Sequence, residues 1–231
     1  MPKIIKPMFD ILLQIDTTKV VEKIQGFESV GGTLLQGGWL MVPLGLLFVI
    51  ALFFFFERLL TLNKASKIED NFMNIIRDQI ISGNITAARS LAKNTPNPVA
   101  KMIDKGIQRI GKPIEAIEKS MENVGVLEMY SMEKNLNILN VIVRIAPLFG
   151  FLGTIVGMLS LFDSINRSTE YNANVIAGGI YVKMITSATG LMIGIITYLG
   201  LSYLQTRIRK IENKMEAASA EFIDILQEPT R

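Results

Sequence analysis

At 231 residues the chain has room for one domain, yet 49% of it is apolar and its mean hydropathy is +0.36, above what an ordinary soluble fold carries. With no Cys and no His it has no disulfide, no thiolate or imidazole catalyst, and almost no route to a zinc or copper site. A net charge of +3, spread along the chain rather than gathered in a patch, argues against nucleic-acid binding and leaves an all-α membrane protein as the expected class.

In residues 1–38 the apolar Ile5, Met8, Phe9, Leu12, Val20, Ile24 and Phe27 recur at mostly helical spacing among lysines and acids. This pattern predicts an amphipathic helix lying on the outer face of a bilayer before two Gly-Gly pairs turn the chain inward. Asp10, Gln14 and Asp16 interrupt every apolar run, so a cleaved signal peptide is not expected.

Three segments then meet the length a bilayer requires, roughly 20 apolar residues. They are 39–56, opened by Trp39 and closed by Glu57-Arg58, then 138–162, then 175–204. The segment 57–137 carries twelve Lys and Arg, and the tail 205–231 has Arg207, Arg209, Lys210 and Lys214 at its start, whereas the loop 163–174 has only Arg167. By the positive-inside rule the middle segment and the tail are cytoplasmic, and the N-terminus and the 163–174 loop are periplasmic.

The middle segment reads as a folded helical unit. Asn84 is a candidate N-cap, Pro96 and Pro98 break the chain, and helix resumes after Pro113. With only Gly125 as a stopping signal, the pattern predicts one helix of about fifty residues, ~75 Å, running from Pro113 into the second span. The third span is expected to continue as a polar helix with Ile208, Ile211, Met215, Ala218, Phe222 and Ile225 on one stripe, so that long helical extensions pack together outside the membrane.

The unusual chemistry lies in "GGIYVKMITSATG". On a helix, Gly179, Thr186, Ser187, Gly190, Gly194 and Thr197 all fall within about 60° of Lys183. The second span repeats the arrangement, with Pro147, Gly150, Gly157 and Leu161 within about 60° of Thr154. Because the two spans run antiparallel, Thr154 and Ser187 are expected at similar depth. Taken singly, a membrane Ser or Thr usually bonds its own helix and a glycine stripe usually means helix packing. Lys183 weighs the other way, since an ammonium there costs ~2.5–3.5 kcal/mol and should face protein, water or a carboxylate. No acid lies in any span, so a carboxylate able to relay protons has to come from a partner.

These residues resemble the MotA/TolQ/ExbB proton-channel family, and look most like its ExbB branch. The likeness is carried by "FERLL", "GNITAARSLAKNTPNPVAKMIDKGI", "APLFGFLGTIVGM" and "GGIYVKMITSATGL". It implies a homopentamer in a bacterial inner membrane, whose second and third spans surround the single spans of ExbD-like partners. An aspartate on that partner would carry protons, with the proton gradient as the energy source and no other cofactor. The work would pass to a TonB-like protein that drives outer-membrane import. The family's pore hydroxyls fall on Thr154 and Ser187, with Pro147, Gly150, Gly157, Gly179, Lys183, Thr186, Gly190 and Gly194 as pore-lining candidates. Two positions depart from the family pattern: Val182 stands where a glutamate is usual, and Ile195-Ile196 replaces Ile-Pro. A TolQ-like or motility stator, and a non-conducting three-span scaffold, are the other readings. With no nucleophile-base pair or phosphate loop in the sequence, an enzyme is not expected.

Overall fold

A computed structural model describes residues 39–66, 71–167 and 173–228; the surface helix expected over 1–38 and the side chain of Val182 lie outside what is described. Every described element is a helix: α1 Met41–Ala65, α2 Phe72–Ile81, α3 Ile85–Asn94, α4 Pro98–Ile107, α5 Ile114–Glu133, α6 Leu136–Arg167 and α7 Ala173–Gln227. Within α1, α6 and α7 lie the three stretches long and apolar enough to cross a membrane. Their surfaces agree with that solvent. Phe53, Leu148, Phe151, Leu159, Met192 and Leu199 are each at least 60% exposed, a density of bare apolar side chains that water does not tolerate. The protein is a multi-pass membrane protein.

Contacts divide the described residues into two units, the first drawn from 39–44 and 148–191 and the second from 45–147 and 192–228. The second holds the short helices, and local sequence sets where each one starts. Asn84 caps α3 by accepting from the Ala87 amide at 3.2 Å. Asn97 caps α4 in the same way, accepting from Val99 at 2.8 Å, with Pro98 at the first helical position. Asn97 is buried because its amide also donates to the carbonyl of Ala65 at 2.6 Å, tying the end of α1 to the start of α4. Gly83 and Gly111, with φ of +73° and +91°, supply the left-handed turns between helices.

The core of this unit is built on the stripe predicted for the C-terminal helix. Ile208, Ile211, Met215, Ala218, Phe222 and Ile225 are all buried, and Phe222 is completely so. Ile103 and Met121 of the same unit are also closed to solvent. A Cβ on Gly106 would stand 2.6 Å from both Met121 Sδ and Phe222 Cε1, so α4 approaches its neighbours as only glycine allows.

One helix boundary differs from expectation, and one helix runs on past the end of its span. α1 runs on to Ala65, because Glu57-Arg58 ends the apolar run without ending the helix. Arg58 is buried, and its guanidinium donates to Glu57 at 2.7 and 2.9 Å and to the Ser131 carbonyl at 3.2 Å. The long helix expected from Pro113 is broken at Lys134-Asn135, where Asn135 takes φ of 65°. Asn enters the left-handed region more readily than other side chains with a Cβ, and Arg58 satisfies a carbonyl at the interrupted end of α5. Gly125 sits inside α5, which runs through it as expected.

Candidate functional site

The glycine and hydroxyl stripes of α6 and α7 meet each other inside one chain. A Cβ on Gly150 would lie 3.1 Å from the Gly190 Cα and from the carbonyl oxygens of Thr186 and Ser187. One on Gly153 would meet Thr186 Cγ2 at 2.6 Å, one on Gly157 would collide with the Lys183 stem, and one on Gly179 would meet Leu161 Cδ1 at 2.7 Å. As the α6 number rises the α7 number falls, so the helices run antiparallel at a spacing that main chain against main chain permits.

The same helices keep the pattern in the other unit, where a Cβ on Gly194 would be 2.7 Å from Pro147 Cγ and 3.4 Å from the Val143 carbonyl oxygen. Pro147 denies that carbonyl its usual helical donor. Glycine at 194 thus receives both the ring and the exposed oxygen it creates.

Within this seam the polar groups divide by burial. Thr186 is 1% exposed, its methyl filling the space over Gly153, and Thr197 is buried with its hydroxyl donating to Ile193 at 2.8 Å. Thr189 donates to Ile185 at 2.8 Å. The hydroxyls of buried Thr197 and half-buried Thr189 thus serve their own helix, and the Thr186 methyl serves packing. Thr154, Ser187 and Lys183 are half-buried, at the border of the seam.

Thr154 does more than bond its own turn. Its hydroxyl is shared between the Gly150 carbonyl at 3.3 Å and the Lys183 carbonyl of the facing helix at 3.4 Å. Two long acceptors for one proton form a weak bond, so the oxygen can turn toward a better acceptor at modest cost. Thr154 thus reaches the turn of α7 between Lys183 and Ser187, with Gly153 beside it against Thr186, so the Thr154 and Ser187 hydroxyls lie within one turn of each other in depth.

Lys183 lays its methylene stem over Gly157. Among the described residues no acid pairs with its ammonium, in keeping with spans that contain no Asp or Glu. Gly153 falls about 100° from Thr154 on the helical wheel, off the stripe that the sequence marks. The repeated Gly-x-x-Gly spacing of "GFLG" was the signal for it. Arg144 is a second cation within an apolar run, exposed, three residues before Pro147. No group of three or more Asp, Glu, His or Cys that could hold a metal occurs among the described residues.

The two paired stripes fall within residues 94–217, the stretch that matches the model of the MotA/TolQ/ExbB proton channel family. The chain belongs to that family. Among curated proteins it is 29% identical over 161 residues to a biopolymer transport protein ExbB homolog of Methanothermobacter thermautotrophicus, covering 69% of this chain and 57% of the relative. It is 28% identical over 169 residues to an ExbB-like biopolymer transport protein of Synechocystis, covering 71% and 66%. An ExbB-type biopolymer transport protein of Vibrio cholerae is 31% identical over 90 residues, covering 38% and 40%. The chain thus spans under two thirds of the length of the first relatives it matches. Within the family its likeness is to proteins named ExbB.

Proposed function

We propose that the chain is the multi-span subunit of an ExbB-like stator in a bacterial inner membrane, working with an ExbD-like single-span partner that carries the membrane carboxylate. The observation that carries this reading is the seam itself: three acid-free spans with Thr154, Ser187 and Lys183 at the border of a tightly closed glycine contact. Such a wall offers hydroxyls and one ammonium to an acid from outside, and no acid of its own.

In this mechanism the partner's ionised carboxylate accepts a hydrogen bond from Thr154 or Ser187, and Lys183 attracts it electrostatically toward the 163–174 end of the span. Once protonated, the same carboxyl donates to a hydroxyl oxygen and is released from the lysine. Pro147, Gly150, Gly157, Gly179, Thr186, Gly190 and Gly194 hold the wall in shape, keeping α6 and α7 locked while the partner moves past. Copies of the chain would form a homopentamer around the partner, with the N-terminus periplasmic and the C-terminus cytoplasmic. The output would drive a TonB-like protein and outer-membrane import.

The test is native mass spectrometry of the tagged chain, gently solubilised after expression with its genomic neighbours. The reading predicts five copies of this chain bound to two of a small single-span protein with one membrane acid. The partner's periplasmic part then distinguishes TonB-type from TolQ-type or motility work. A stable oligomer that takes up no acid-bearing partner would refute it and favour a non-conducting scaffold.

A further inference from the structure

Outside the spans, in the unit formed by residues 45–147 and 192–231, helices α5 and α7 leave a groove of about 810 Å³. Glu118, Glu122 and Glu133 line one bank and Glu212, Glu216 and Asp224 the other, and no lysine or arginine lines either. Among the described residues, one of the six, Glu122, has a partner beyond the rim, pairing with the exposed Lys119 at 2.6 Å. The floor is apolar and pliable, made by Met102, Met129 and Met215. Gly125 deepens it, since a Cβ there would come within 3.5 Å of Met215 Cε. At the edge Val126 and Tyr130 are 62% and 77% exposed. This groove plays no part in the proton path proposed above.

A solvated charged face would not carry an apolar floor with two large exposed side chains beside it. A purely apolar contact would not place carboxylates along both sides. The combination fits one kind of occupant. We propose that the groove receives a basic amphipathic helix from a partner protein, its apolar face on the methionines and its Lys or Arg side chains against the two banks. Methionine surfaces adapt to helices of varied sequence, and such grooves read an i, i+3, i+4 pattern. From Glu118 to Glu133 the bank spans about 22 Å, which an occupant of about four turns would fill. The unanswered carboxylates exclude nucleic acid, an acidic peptide and an anionic lipid surface.

The test uses the full chain in a neutral maltoside detergent and a fluorescein-labelled peptide of about sixteen residues with Leu and Lys at helical amphipathic spacing. Controls are the same composition shuffled and the same pattern with Glu for Lys. The basic amphipathic peptide is expected to bind at least about tenfold tighter than either control, to weaken with salt, and to lose about tenfold in the Glu122→Gln/Glu216→Gln variant. Equal binding of the shuffled peptide, or binding untouched by that double substitution, would overturn the proposal. So would dissociation of the chain's own oligomer in the double variant, which would assign the groove to a second copy.

Discussion

Replacing Gly150 by alanine places a methyl 3.1 Å from three main-chain atoms of α7, the Gly190 Cα and the Thr186 and Ser187 carbonyl oxygens. None of these can rotate away, so the helices must separate by a few tenths of an ångström. Overpacking of this kind costs ~1–3 kcal/mol, toward the upper end where main chain is the obstacle, and the gain in helix propensity returns ~1 kcal/mol. The expected net loss is ~1–2 kcal/mol. Gly178→Ala is the internal control, because its Cβ meets nothing within 4 Å and only the propensity gain of ~1 kcal/mol applies. Gly157→Ala is intermediate: it meets the Lys183 stem, which can move. Thermal unfolding of the detergent-solubilised oligomer, followed by size exclusion, should rank the midpoints Gly178→Ala, then Gly157→Ala, then Gly150→Ala from high to low. Gly150→Ala melting at or above Gly178→Ala would refute the close seam.

Other substitutions probe separate links. At Asn135, φ of 65° predicts that Asn135→Gly leaves the midpoint within a few tenths of a kcal/mol while Asn135→Val loses roughly 1–2 kcal/mol in the same assay. Arg58→Met strands the Ser131 carbonyl and unpairs Glu57, for an expected loss of about 1–3 kcal/mol; an unchanged melt would show that the break at Asn135 needs no side-chain support. Lys183→Met keeps an apolar stem over Gly157 and removes the ammonium, so it should fold normally and lower force-driven transport at least about tenfold, with Lys183→Arg retaining most of it. Full transport by Lys183→Met would remove the charge from the mechanism.

Periodicity made much of this fold legible. The stripe from Ile208 to Ile225 is apolar at helical spacing in a polar helix, and all six positions are core. The break at Asn135 was not legible, because neither Gly nor Pro marks it. At that break Arg58, far away in sequence, reaches the Ser131 carbonyl. The seam was half legible. A helical wheel gathers Gly179, Lys183, Thr186, Gly190 and Gly194 on one face, but it cannot say what that face meets. The structure closes most of it against α6 and leaves Thr154, Ser187 and Lys183 at the border. Register between the helices is likewise set by Gly150 against Gly190 and not by distance from the ends of the spans.

The central claim is that Thr154 and Ser187 serve a proton path completed by a partner's acid. It is tested most directly by proton uptake into pyranine-loaded liposomes under an imposed potential, with the chain reconstituted alone, with its acid-bearing partner, and as Thr154→Ala/Ser187→Ala with that partner. The account predicts uptake only when chain and partner are together, reduced at least about tenfold by the double substitution and largely kept by Thr154→Ser. Wild-type uptake by the Thr154→Ala/Ser187→Ala chain, or equal uptake by the chain without its partner, would contradict it.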